Sequence, residues 1–128
     1  LEFDDGRDLS WIWSSSLPPG VTFPCPVPAW SARETHRVLR SGLEACGQWL
    51  EEDCAVATEV AASLPSPPTR IVAVWLICVA TFQHGTARAS FEGLALHDGA
   101  RRIDLVRNGD HREEYLRDAA GGRCEQRA

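Results

Sequence analysis

Residues 31–64 read SARETHRVLRSGLEACGQWLEEDCAVATEVAASL, and residues 70–82 read RIVAVWLICVATF. In the first stretch Leu39, Leu43, Cys46, Leu50, Cys54, Ala57, Ala61 and Leu64 recur at helical spacing, and Val38, Trp49, Val56 and Val60 widen the stripe. Arg33, Arg37, Arg40, Glu44, Gln48, Glu51 and Glu59 fall on the opposite side. Ser31 and Glu34 have capping-box spacing, and Pro65, Pro67 and Pro68 close the run. Gly42 and Gly47 each cost about 1 kcal/mol relative to Ala inside a helix, a cost justified if another backbone approaches there. In the second stretch both alternating sets are apolar, as in a central strand covered on both faces. This change of period predicts an α+β fold: a long amphipathic helix over 31–64, packed on a three- to four-stranded antiparallel sheet.

The flanking sequence extends that expectation. Gln83-His84-Gly85 reads as a turn into a second strand over 86–96, Asp98-Gly99 as a hairpin signal, and 101–107 as a third strand. Asp110 has N-cap spacing ahead of a short C-terminal helix over 114–120, which Gly121-Gly122 ends. Upstream, Leu9, Trp11 and Trp13 alternate after the turn-like Asp4-Asp5-Gly6-Arg7. Pro24, Pro26 and Pro28 then impose an extended path. The expected organisation is a Trp/Pro-rich arm over 1–30, a helix-on-sheet domain over 31–120 and a frayed tail over 121–128. Cystatin-like and secretion-chaperone-like folds share this broad plan, a likeness of architecture that carries no function.

Composition narrows the function classes. At 128 residues with 44% apolar content, the chain is long enough for one core and too apolar for a disordered segment. The longest uncharged apolar run, Ile71 to Phe82, is too short to span a bilayer, so no membrane role is expected. Every basic residue is Arg and Met is absent, which fits a GC-rich coding bias. Residues 1–64 hold four arginines against ten acids and residues 65–128 nine against eight, so the net charge of −5 sits in the first half. Such a balance argues against general phosphate binding. The five cysteines are odd in number and include no Cys-x-x-Cys pair. On a helix Cys46 and Cys54 lie about 12 Å apart along the axis, beyond disulfide reach. No disulfides are expected, and the compartment is read as intracellular and reducing, cytoplasmic or nuclear.

Chemistry-bearing patterns are sparse. There is no Gly-x-Ser-x-Gly elbow, no Gly-rich phosphate loop and no His-Glu-x-x-His. Glu51-Glu52-Asp53 and Glu113-Glu114 diverge by about 100° per residue on a helix, so they form no facing acid/base couple. No catalytic residue and no cofactor are expected. One alternative gathers His84, Asp110 and His111 at one sheet end, as in a small metal-dependent hydrolase. A second is a nucleic-acid strip of Arg88, Arg101, Arg102, Arg107 and Arg112. The element order resembles that of double-stranded-RNA-binding domains, which grip phosphates from a lysine-rich helix start. Here that position reads Asp110-His111-Arg112-Glu113-Glu114, so nucleic acid is not the favoured partner. The leading expectation is a non-catalytic protein-binding module, an adaptor, chaperone-like accessory protein or assembly subunit. Its contacts would be Trp11, Trp13, Trp30 and Trp49, and its partner another protein or a second copy in a homodimer.

Overall fold

The structure, a computed structural model, describes residues 1–79, 86–106, 113–117 and 123–127, the last two stretches as backbone. The chain divides into two compact units, Leu1–Trp75 and Leu76–Ala128.

The first unit is a mixed five-stranded sheet with one helix. Its strands are β1 (Glu2–Phe3), β2 (Asp8–Ser14), β3 (Thr22–Pro24), β4 (Glu34–Ser41) and β5 (Ile71–Ala73), in the order β3-β4-β2-β1-β5. β2 and β4 run parallel, and the other pairs are antiparallel. A parallel pair needs a long crossover rather than a tight turn, and residues 15–33 supply it while contributing β3 on the way. The β2/β4 register, Asp8 opposite Glu34 through Ile12 opposite Val38, shifts between Ile12 and Trp13, where Arg40 comes opposite Trp13. Leu39 is the extra residue of this bulge.

α1 (Val56–Ser63) lies against one face of the sheet. Val60 and Leu64, one turn apart, meet Phe3 and Leu9, with Leu1, Trp11, Val56 and Ile71 around them. Leu9 is fully buried. The Arg37 guanidinium on β4 pairs with Glu59 on α1, and it also donates to the Gly20 carbonyl at 3.1 Å. Leu64 is extended and Pro65 follows, which stops the helix. The returning chain is then clamped by the β1–β2 turn. Asp4 accepts from the Thr69 hydroxyl and from Arg70 N at 3.2 Å, and Arg7 donates to the Ser66 carbonyl at 3.0 Å. These contacts set β5 against β1.

In the second unit β6 (Ala95–Asp98) and β7 (Arg101–Asp104) form a hairpin through Gly99-Ala100, and β8 (Glu113–Arg117) pairs with β9 (Arg123–Arg127). No helix among the described residues is long and apolar enough to cross a membrane.

This architecture overturns the α+β expectation of one long amphipathic helix on an antiparallel sheet. Within 31–64 only Val56–Ser63 is helical, while Glu34–Ser41 is the strand between β2 and β3. The helical stripe fails at Gly42 and Gly47, whose φ values of +88° and +79° lie in the left-handed region that no α-helix uses. The capping box also dissolves: the Ser31 hydroxyl donates to the Pro28 carbonyl, and Glu34 turns to groups on β2 and β4. The expected strand over 70–82 reduces to Ile71–Ala73 among the described residues, at the sheet edge rather than its centre. The expected second strand, 86–96, is irregular as far as Leu94. Glu113–Arg117 is a strand where a C-terminal helix was expected.

Candidate functional site

Two features of the first unit carry chemistry, and β2 and β4 position both. On a strand, residues two apart share a face. Asp8 and Ser10 of β2 therefore stand beside Glu34 and His36 of β4, on the face opposite Leu9 and Trp11. Phe23 pairs with His36, and Cys25, one residue past β3, donates its N–H to the Glu34 carbonyl at 2.8 Å. The result is a cluster of Cys25, Glu34 and His36 whose ligand atoms all lie within 4.8 Å of one another.

Glu34 is the hub. It accepts from the Ser10 hydroxyl at 2.5 Å, sits 3.1 Å from His36 Nε2, and accepts from the Cys25 thiol. Burial pushes its carboxyl upward, but these donors outweigh that and hold it below the usual carboxylate value. The Phe23 ring meets the imidazole edge-on at 5.3 Å. Cys25 is buried, and burial together with the Glu34 charge pushes its thiol up. The resting group is a protonated thiol, which argues against a free thiolate nucleophile. Asp8 lies opposite Glu34 in register and pairs with Arg33 at 2.8 Å. Desolvation raises its carboxyl pKa against the opposing pull of Arg33, and its Oδ1 is buried without a hydrogen-bond partner.

The second feature lies at the other end of the β2/β4 pair. After the bulge, Trp13 Nε1 donates to the Gly42 carbonyl at 2.7 Å, which ties the indole to the loop over residues 42–50. That loop is shaped by turns (Cys46 N to the Leu43 carbonyl at 3.0 Å, Gln48 N to the Ala45 carbonyl at 3.2 Å). It presents Leu43 and Trp49 to solvent, 66% and 68% exposed, and Trp13, tied to it at Gly42, is 44% exposed. Glu44 on that loop and Glu51, Glu52 and Asp53 just after it are exposed, and Arg40 pairs with Glu52.

The four expected contact tryptophans therefore do not form one patch. Trp11 packs under α1 in the core, with its Nε1 buried and unpartnered. Trp30 lies before β4, where Arg33 stacks 4.8 Å from its ring centroid. A strand the length of β2 spans about 20 Å, so Trp30 is held away from Trp13 and Trp49. Trp75, which the sequence reading passed over, is 57% exposed and donates to Glu2 at 3.1 Å.

Of the other candidates, His84, Asp110, His111, Arg107 and Arg112 lie outside the described residues. Arg88, Arg101 and Arg102 are exposed, yet Arg102 is paired with Asp104 at 2.5 Å and Arg101 stands opposite Asp98 in the hairpin. Acids interrupt that strip. Sequence reasoning missed Cys25, Glu34 and His36 because it placed the last two on a helix. The available signal was Glu34-Thr35-His36, which at period two puts carboxylate and imidazole on one face.

Residues 5–95 match the model of a family described as "Protein of unknown function (DUF3047)". No curated protein and no solved structure matches the chain.

Proposed function

The chain belongs to the DUF3047 family, and from that premise we propose that its first unit is a non-catalytic protein-binding module. The contact surface is the end of the β2/β4 pair that carries Trp13, Leu43 and Trp49. One observation carries the reading: two large apolar side chains, each about two-thirds exposed, lie on a turn-braced loop that the indole of a third exposed residue, Trp13, ties down at Gly42. Trp is enriched among residues that dominate binding energy, and a loop already braced loses little freedom on docking. The residues matched by the family model include all three.

The surrounding charge selects the partner. Glu44, Glu51 and Asp53 rim the surface, with Arg40 engaged by Glu52. The complementary ligand is a protein segment with an apolar or aromatic side chain flanked by Arg or Lys. A second copy of this chain fits less well, because a two-fold contact through this end sets acidic rim against acidic rim. An intracellular, reducing compartment suits the unbridged thiols of Cys25, Cys46 and Cys54.

The test is selection from a random peptide library on the immobilised full chain. Enrichment of basic-aromatic sequences, with at least tenfold weaker binding to Trp49→Ala and Leu43→Ala variants of unchanged circular dichroism, is the expected result. Enrichment of no sequence, or binding that both variants retain, overturns the proposal.

A further inference from the structure

The cluster on the opposite side of β2 and β4 from the core poses a separate question. It serves neither the hydrophobic core nor the exposed loop, yet it brings a thiol, a carboxylate and an imidazole together in a mostly buried place. We propose that Cys25, Glu34 and His36 are the three protein ligands of a binding site for a zinc-class divalent cation.

Geometry comes first. The three ligand atoms lie within 4.8 Å of one another, and Glu34 Oε1 is already 3.1 Å from His36 Nε2. Tetrahedral zinc, with bonds of about 2.0–2.3 Å, asks for ligand atoms about 3.3–3.6 Å apart. A contraction of roughly 1 Å on the sulfur side closes the site, within reach of a small side-chain adjustment.

The backbone is already fixed for that role. Glu34 and His36 share a face of β4, a strand paired on both sides, and the Cys25 N–H is tied to the Glu34 carbonyl. The Ser10 hydroxyl, 2.5 Å from Glu34 Oε1, is the kind of outer hydrogen bond that orients a coordinating carboxylate.

Charge and donor type name the ion. Thiolate and carboxylate together carry two negative charges, so a divalent cation leaves the buried site neutral. Asp8 and Glu2 add negative potential nearby, and Arg33, the residue before Glu34, is committed to these two acids. A sulfur–nitrogen–oxygen donor set suits zinc or cobalt, not calcium or magnesium, which want oxygen alone. On binding, the sulfur–metal bond replaces the S–H bond and the proton leaves to solvent. Three protein ligands leave one tetrahedral position to water.

The test is a titration of the reduced full chain with cobalt(II), a spectroscopic stand-in for zinc. The expected result is one equivalent bound, with a thiolate-to-cobalt charge-transfer band that zinc abolishes. Cys25→Ser should remove the band, and Glu34→Gln and His36→Ala should each weaken binding at least tenfold. Ser10→Ala should weaken it by about 10- to 100-fold, while Cys46→Ser and Cys124→Ser leave it intact. No thiolate band with the folded wild type overturns the proposal, as does a band that follows Cys46 or Cys124. Should Cys25→Ser fail to fold, X-ray absorption of the zinc-loaded wild type decides. One sulfur among the nearest scatterers supports the site, and none refutes it.

Discussion

The two ends of the β2/β4 pair solve opposite problems. At the start of the strands, Ser10, Cys25, Glu34 and His36 satisfy one another's hydrogen bonds within a mostly buried cluster. At the finish, Leu43 and Trp49 lie open to solvent on a braced loop. A buried polar group left unpaired is costly, and at the first end the Cys25, Glu34, His36 and Ser10 groups satisfy one another, with Asp8 Oδ1 alongside as the exception. Exposed apolar area is favourable to bury, so the second end is incomplete until something covers it. Recognition is assigned to the end whose apolar surface is uncovered, while the mostly buried end suits a small ion that replaces a proton.

The largest expected effect removes both ends at once. Leu9 sits on β2 between Asp8 and Ser10, on the face that carries the core, and is fully buried under α1. Leu9→Ala should destabilise the first unit by about 2–5 kcal/mol, read by urea denaturation; a loss under 1 kcal/mol would mean that the sheet does not rest on this core. Next comes the strut between β4 and α1. Arg37 and Glu59 are each about four-fifths buried at the side chain, and Arg37→Met strands the carboxylate of Glu59. The expected loss is about 1–3 kcal/mol, and Glu59→Gln in the same background should recover part of it. No recovery would show that the charge pair is not what joins helix to strand.

A smaller effect concerns pH. The Thr69 hydroxyl, ahead of the Arg70 N–H, holds the Asp4 carboxyl below its ordinary value of 3.8 while desolvation opposes it. A depressed folded pKa contributes stability that is present above pH 3.8 and lost as pH falls through the lower folded value. Asp4→Asn should therefore flatten the acid limb of a stability-versus-pH curve and leave both ends of β2/β4 unchanged. An unaltered acid limb would remove Asp4 from the clamp. Smallest of all, Trp49→Ala should shift stability by no more than about 0.5 kcal/mol, because its ring is exposed. A larger loss would place Trp49 in the fold rather than in recognition.

How much of this was legible varies by element. The alternation Leu9, Trp11, Trp13 does lie on a strand, because a half-buried strand writes its period directly into sequence. Asp98-Gly99 does sit at the β6/β7 turn. Residues 34–41 misled because Leu39 and Leu43 fit a helical stripe, whereas Leu39 is a bulge residue and Leu43 belongs to a solvent-exposed loop. Gly42 and Gly47 were the signal against the helix: two glycines in one helix interior are better explained by turns that need positive φ. The Cys25–Glu34–His36 cluster was not legible from spacing alone. It exists only because the crossover through 15–33 brings β3 alongside β4, and pairing between strands distant in sequence leaves no local periodicity to read.

The assignment of recognition to one end of the sheet is tested most directly by the five tryptophan indole N–H resonances of the full chain, followed as a selected basic-aromatic peptide is added. Trp13 and Trp49 should move together and saturate while Trp11 and Trp30 stay in place. Movement centred on Trp30, or no movement at Trp49 with peptide bound, would contradict it.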